Sequence, residues 1–304
     1  MIKKGGEYHR PFNFCLRKLQ GYKILAIFHE RGYNRGMLQL ISDKTQSLKE
    51  FTENNYAQAA FVWRQLLKNK DVRVNGKRVG EDVTLYKGDV VAYYLTAKQA
   101  EKPAYYTVYE DENILIADKE SGVNSEAVYA ALARERECYF IHRLDRNTKG
   151  LIAFALNEKA ERMLLKAFKD RTAEKRYEAI CFGDFPKETD VLTAHLKKDA
   201  EKSLVKIYDK PTNGAEKIIT EYRVLSKQDG VTKVEITLHT GKTHQIRAHL
   251  AHIGCPIVGD MKYGDTAKNK AINATRQCLV AKYLRFFFEG EFAYLNGKEW
   301  TSRF

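Results

Sequence analysis

The segment Leu151-Ile-Ala-Phe-Ala-Leu156 is apolar at every position. A strand of that kind has apolar residues on both faces, so it belongs in the middle of a sheet with cover on each side. Directly before it runs His142-Arg143-Leu144-Asp145-Arg146-Asn147-Thr148-Lys149-Gly150, one carboxylate among basic residues. An aspartate there is held ionised by neighbouring cations and aimed by a buried strand, which is how a nucleophilic or base carboxylate is prepared. A lone Asp after Leu is otherwise a turn or cap residue. The run therefore has to be weighed with the rest of the chain.

Around it the pattern is α+β, with more strand than helix and without the regular βαβ alternation of a doubly wound sheet. From residue 105 on, Asn113–Ala117 reads as a strand and Lys119–Gly122 as a turn. Asn157 is placed to cap a helix whose stripe is Ala160, Met163, Leu164, Ala167 and Phe168. Val234, Ile236 and Leu238 alternate with polar residues as in a half-buried strand. Thr240-Gly241 turns that strand into a helix starting near Thr243, and Gly254 and Pro256 stop it.

Residues 46–96 form a separate compact unit. Ala59, Val62, Trp63, Leu66 and Leu67 recur at helical spacing over 55–68, with Asn54 or Asn55 as the cap. Val72–Val79 reads as a hairpin in which valines alternate with basic residues, and Asn75-Gly76 suits a type I′ turn. Lys87-Gly88-Asp89 turns the chain into Val90–Leu95. Arg64, Lys68, Lys70, Arg73, Lys77 and Arg78 supply either a phosphate-binding face or an ordinary solvated one. Residues 97–104 are polar and read as a linker. Residues 1–45 are an extension with no assignment; Ile24–Phe28 within it suits a strand or a short helix equally.

Charge narrows the partners. The 304 residues carry 52 Lys+Arg against 39 Asp+Glu, a net +13, which fits either a polyanionic partner, most simply RNA or DNA, or a basic but ordinary surface. The five cysteines are scattered, odd in number and form no CxxC pair, so neither a zinc ribbon nor a disulfide framework is indicated. No signal-peptide-like start appears, and no apolar run approaches the roughly 20 residues of a membrane span. We expect a cytoplasmic monomer that does not engage membranes.

Three separated segments share one pattern: His142–Gly150, Lys175-Arg-Tyr-Glu-Ala179, and Leu238-His-Thr-Gly-Lys-Thr-His-Gln-Ile-Arg-Ala-His-Leu250. Taken singly, a strand tyrosine is packing and an arginine on a first helical turn is solvated. Taken together, in this order, they resemble the RluA-type pseudouridine synthases over roughly residues 105–290. Asp111–Lys119 is similar to that family's opening strand-turn. The resemblance implies a mixed, mainly antiparallel sheet as the catalytic domain, over 105–304. It implies that Asp145 is the essential aspartate, Tyr177 the tyrosine against the target base, and Arg247 the basic partner of Asp145. Arg143 resembles the arginine that fills the RNA stack when the uridine leaves. His142, Thr148 and His244 are expected to support the site. The helix, Val-Arg-Val-Asn-Gly-Lys hairpin and Lys-Gly-Asp turn likewise look like an S-four-like RNA-binding domain, a small α+β module over 46–96.

The implied reaction is isomerisation of uridine to pseudouridine in structured RNA, ribosomal RNA ahead of transfer RNA, with base flipping. It adds and removes nothing, so it demands no cofactor and no metal. His249 and His252, three apart, would suit a metal pair on a helix, but no acidic ligand follows at helical spacing. Four positions depart from the family's pattern: Lys149 for a serine, Lys242 for an arginine, Glu120 for a proline and Val280 for a histidine. The competing readings are a non-catalytic RNA-binding or ribosome-assembly factor, and a metal-dependent nucleic-acid hydrolase. The latter lacks clustered carboxylates.

Overall fold

The computed structural model describes residues 28–29, 35–199 and 204–304, which divide into two units. Residues 62–101 and those up to 51 form one; residues 52–61 and 102–304 form the other. Most of the Ile24–Phe28 segment lies outside the described residues.

The first unit is built on a five-stranded antiparallel sheet. Its strands are β1 (Phe28–His29), β2 (Arg35–Ile41), β4 (Val72–Val74), β5 (Lys77–Val79) and β7 (Val90–Thr96), in the order β1-β2-β7-β4-β5. A separate pair joins β3 (Gln46–Ser47) to β6 (Thr84–Leu85). Strand β2, from the stretch with no assignment in sequence, runs along the whole of β7. The hairpin turn has Asn75 at φ 49° and Gly76 at φ 81°, the two positive values of a type I′ turn. Asn75 also binds the second turn: its Nδ2 donates to Asp89 Oδ1 (2.9 Å) and its Oδ1 accepts from Val90 N–H (2.9 Å).

The helical region differs from expectation. Three short helices follow one another, α1 (Leu48–Asn55), α2 (Ala57–Phe61) and α3 (Trp63–Asn69). Asn55 ends α1 rather than capping a helix, and the expected 55–68 helix breaks at Val62 (φ −115°, ψ 20°). A β-branched residue between two aromatics is a weak helix former. Part of the supposed linker is also a helix, α4 (Ala97–Ala100). Thr96 and Gln99 form a capping box that satisfies its first backbone amides.

The second unit holds an eleven-stranded sheet among the described residues. In chain order its strands are β8 (Tyr105–Glu110), β9 (Ile114–Lys119), β10 (Tyr139–Phe140), β11 (Lys149–Ala155), β12 (Glu174–Phe182), β13 (Thr189–Asp199), β14 (Leu204–Tyr208), β15 (Glu216–Gln228), β16 (Val231–Leu238), β17 (Leu279–Arg285) and β18 (Glu299–Thr301). The order across it is β14-β13-β15-β16-β12-β17-β11-β9-β8, with β10 on β11 and β18 on β17. All pairs are antiparallel except β11 with β17. The sheet is thus mixed and mainly antiparallel, as the sequence led us to expect. Strands β13 and β15 had no counterpart in the sequence reading. Much of β13 is exposed, and its Lys, Thr and Asp residues blur the two-residue period.

Strand β11 lies inside the sheet, between β17 and β9. Leu151, Ala153 and Ala155 face one core with Ala160, Leu164 and Ala167 of α6 (Glu158–Asp170). Ile152 and Phe154 face the other, with α5 (Ser125–Ala133) and α7 (Gln245–His252). Asn157 caps α6 by accepting from Ala160 N–H (2.9 Å). No helix among the described residues is long and apolar enough to cross a membrane.

Candidate active site

Asp145 lies in the loop that leads into β11, on the α5 and α7 side of the sheet, and the backbone around it is held from several directions. Buried Leu144 donates its N–H to Ser125 Oγ (2.9 Å) and accepts from it at its carbonyl (3.1 Å). Lys119, fully buried at the end of β9, spends its three protons on the carbonyls of Glu120 (3.0 Å), Val123 (2.8 Å) and Arg146 (3.2 Å). Burial pushes its ammonium down to about 7, against the pull of Asp145 and Glu120. Thr148 N–H closes the turn on the Asp145 carbonyl (3.0 Å), and its buried hydroxyl accepts from Gln277 Nε2 (3.0 Å). Gly150, second in β11, has φ 109°, and an added Cβ there would meet the Ala281 carbonyl oxygen at 2.3 Å. Only glycine fits so close to the neighbouring strand.

Arg247, on the first turn of α7 with a side chain 7% exposed, bridges two carboxylates. Nη1 donates to Asp145 Oδ2 (2.9 Å), while Nε and Nη2 clamp Asp260 at 2.6 and 3.0 Å. Asp260 Oδ1 also accepts from the backbone N–H groups of Lys262 (2.8 Å) and Tyr263 (3.1 Å). Burial opposes both charges; the mutual hydrogen bonds outweigh it, holding Asp260 below the usual carboxylate range and Arg247 above its ordinary value. Asp260 thus fixes the guanidinium plane, and one edge is left for Asp145.

His244 precedes α7 at φ 55°. Its Nδ1 lies 2.9 Å from Tyr263 Oη, which already accepts from Val205 N–H (2.9 Å). Either group can donate in that contact, as the His244 tautomer dictates, and the ring's other nitrogen is Nε2. That nitrogen is 3.8 Å from Asp145 Oδ2, an electrostatic neighbour beyond hydrogen-bond reach. Burial lowers the imidazole's pKa, with Asp145 pulling the other way and Arg247 reinforcing the shift.

Tyr177 completes the floor. It projects from β12 at a register shift against β17, between Arg176 and Tyr177, and is 8% exposed. Burial and the charge of Asp145 push its phenol up to about 12, so it stays neutral. These groups line a cavity of about 770 Å³ whose walls also carry Arg143, Lys175, Lys198 and Lys242. A lone carboxylate, an aromatic ring and a cationic wall suit an anionic substrate with a flat, uncharged reacting group.

A family model for RNA pseudouridylate synthase matches residues 99–252. The chain belongs to that family. A ribosomal large subunit pseudouridine synthase C of Vibrio cholerae is 32% identical over 229 residues, 66% of this chain and 71% of that one. A synthase D of Buchnera aphidicola is 27% identical, over 73% of this chain and 82% of that one. The solved structure of human RNA pseudouridylate synthase domain containing 1 superposes with a TM-score of 0.53 at 26% identity, over 61% of this chain and 79% of that one. The chain is thus an RNA pseudouridine synthase, an isomerase.

In this synthase Asp145, Tyr177, Arg247 and His244 meet at one cavity. Of the other site residues expected from sequence, His142, Arg143 and Thr148 also line this cavity but bond to other partners, and the rest lie elsewhere. His142 accepts from Ala153 N–H at Nε2 (3.0 Å) and stacks on Phe168 (4.2 Å between ring centres), so it braces β11. Burial and the charge of Lys175 keep it neutral. Arg143 is two-thirds exposed and pairs with Glu126 (2.8 Å). Arg64, Lys68, Lys70, Lys77 and Arg78 are exposed and Arg73 half-buried, all in the first unit, and none makes an ion pair among the described residues. His249 bonds Thr220 Oγ1 (2.9 Å) and His252 bonds Asp209 (2.7 Å), so the two histidines turn to separate partners.

The four departures have local explanations in part. Lys149 lies 3.9 Å from Glu120 and over the Phe304 ring (4.1 Å), so two departures partner each other. Val280 faces Lys149 across the β11–β17 pair, and Lys242 pairs with Glu216. Sequence reasoning missed Asp260, Ser125, Lys119 and Gln277. The one available signal was Arg247 itself, since a guanidinium on a helix otherwise rich in Ile, Ala and Leu needs more than one carboxylate.

Proposed function

We propose that this synthase isomerises uridines of ribosomal RNA, with Asp145 as the reacting carboxylate. The observation that carries this is the Arg247–Asp145 bond of 2.9 Å inside a cationic cavity floored by Tyr177. The ribosomal substrate is supported by relatives whose names specify the ribosomal large subunit. In the reaction the bond from uracil N1 to ribose C1′ breaks and one from C5 to C1′ forms. N1 ends protonated and C5 gives up its proton, so the sum is unchanged. Asp145 attacks the sugar carbon or takes a proton from the ribose as the base departs. Arg247, fixed by Asp260, keeps the carboxylate ionised and aimed. Tyr177 holds the detached base by stacking, worth roughly 1–3 kcal/mol, and its neutral phenol adds no charge to the pocket.

A base within a stem hides these atoms, so the nucleotide swings out at a cost of a few kcal/mol. Arg143 then fills the gap; releasing its exposed pair with Glu126 costs at most about 1 kcal/mol. The first unit acts as an S-four-like RNA-binding module, its hairpin cations contacting phosphates without reading sequence.

The test maps pseudouridines in ribosomal and transfer RNA from cells with the gene, without it, and with Asp145→Asn. We expect at least one ribosomal site to vanish without the gene and to stay absent with the variant, while the purified variant still binds RNA. Loss confined to transfer RNA would reassign the substrate. Undiminished modification by Asp145→Asn would remove that residue from the chemistry, and ribosome-assembly defects with no lost site would favour a non-catalytic factor.

A further inference from the structure

We propose that the catalytic unit carries a second RNA subsite, which takes the nucleotides flanking the target uridine, stacks a base on Phe287 and holds phosphates with Lys169 and Arg171. The proposal rests on the reading that RNA is the substrate. A cavity of about 850 Å³ lies between the C-terminal end of α6, the start of β12, the turn after β16 and the segment after β17. It shares Lys175, Leu238, Gly241 and Lys242 with the catalytic cavity, so the two adjoin along one wall. A strand entering one can continue into the other.

The charge in this second cavity is not balanced from within the protein. Glu174, its one acidic lining residue, lies 3.3 Å from Arg176 Nε. His239 pairs with Glu221 and Lys242 with Glu216. Lys169, Arg171 and Lys175 have no carboxylate within ion-pair distance among the described residues, and Lys169 and Arg171 are exposed. Three unbalanced cations beside the catalytic pocket match a run of phosphates.

Phe287 supplies the second element. Its neighbours Phe286 and Phe288 are buried at 0% and 7%, whereas Phe287 is 47% exposed. The Arg285 guanidinium lies 4.5 Å from its ring centre. An exposed aromatic in a cationic pocket is an arrangement that suits single-stranded nucleic acid, with a base on the ring and phosphates on the cations. A peptide would use the ring but not the charge. Nothing in the catalytic constellation requires Phe287, Lys169 or Arg171.

The experiment uses the full chain and a transcript spanning a uridine that the gene-deletion mapping assigns to this enzyme. Phe287→Ala should raise KM at least about five-fold and leave kcat at saturating RNA within two-fold, and Phe287→Trp should restore KM. Lys169→Glu with Arg171→Glu should also raise KM and flatten the log–log dependence of binding on salt by roughly 0.7 for each lost phosphate contact. Trimming the transcript one nucleotide at a time from each side should produce one KM jump for the wild type that Phe287→Ala does not show. Unchanged KM, salt slope and trimming profile in both variants overturn the subsite while the enzyme still modifies the transcript. No pseudouridine from the wild type on that transcript would instead sink the substrate reading.

Discussion

Arg78 and Arg247 carry the same charge and are used in opposite ways. Arg78 stands exposed on the hairpin of the first unit, directly across from Arg73 and without an ion pair among the described residues. Arg247 is buried in the second unit, and its donors are shared between Asp145 and Asp260. An unpaired surface cation keeps its counterions until a phosphate displaces them, so it contributes affinity that falls with salt and carries little geometry. A buried guanidinium locked by a two-point clamp contributes geometry and little affinity, because its charge is already neutralised. On the proposed function, one chain thus separates holding RNA from orienting a carboxylate, and each half of that division can be attacked independently.

The largest effect is expected where a clamp is broken. Asp260→Ala removes two of the three hydrogen bonds that orient Arg247 and leaves its charge half-compensated in the interior. Breaking a buried pair from one side destabilises by roughly 3–5 kcal/mol. We expect a matching fall in the urea midpoint, a loss of kcat of about a hundred-fold or more, and little change in KM. Asp260→Asn, which keeps an acceptor oxygen for the Lys262 and Tyr263 amides, should lose less. A variant that lowered affinity while sparing kcat would place Arg247 on the binding side of the division.

A smaller effect separates the buried from the exposed histidines of α7. His249 is 2% exposed, and burial, with the nearby charge of His252, pulls its pKa down to about 4. The ordinary value is about 6.5. Between the two, the unfolded chain binds the proton that the folded one refuses, so stability is constant above about pH 6.5 and falls as pH drops towards 4. The loss is on the order of 3 kcal/mol. His142, half-buried and also held neutral, acts in the same direction. His249→Gln should shrink the difference in urea midpoint between pH 7 and pH 4.5; equal differences for variant and wild type would rule His249 out as the group responsible.

How much of this was legible depended on sequence distance. The Asn75-Gly76 turn, the Asn157 cap and the two-faced strand behind Asp145 are set by neighbours within a few residues, and local pattern revealed them. Asp260 was invisible because its role exists only once α7 and the following turn pack together; alone, Gly259-Asp260 is an ordinary turn dipeptide. Ser125 and Lys119 were hidden for the same reason, since each acts on the backbone of the Asp145 loop from another segment. The helix over 55–68 failed differently. Its period was sound, but Val62 between Phe61 and Trp63 breaks it, and Asn55 is the end of a preceding helix.

The smallest expected change is the sharpest test of the hairpin. Arg73 and Arg78 sit opposite each other across β4 and β5, a like-charge pair that costs a sheet roughly 0.2–1 kcal/mol. Arg78→Glu turns that repulsion into attraction, so the first unit should become slightly more stable. If the pair exists to meet phosphates, the same variant should raise KM for the RNA several-fold, flatten the salt dependence of binding by roughly 0.7 to 0.9 per lost contact, and leave kcat at saturating RNA unchanged. Stability and affinity are then expected to move in opposite directions, which a folding defect cannot mimic. A variant that gained stability and kept its full affinity and salt slope would make the hairpin cations ordinary solvated charges, and would leave the recognition of RNA to the cationic walls of the catalytic unit.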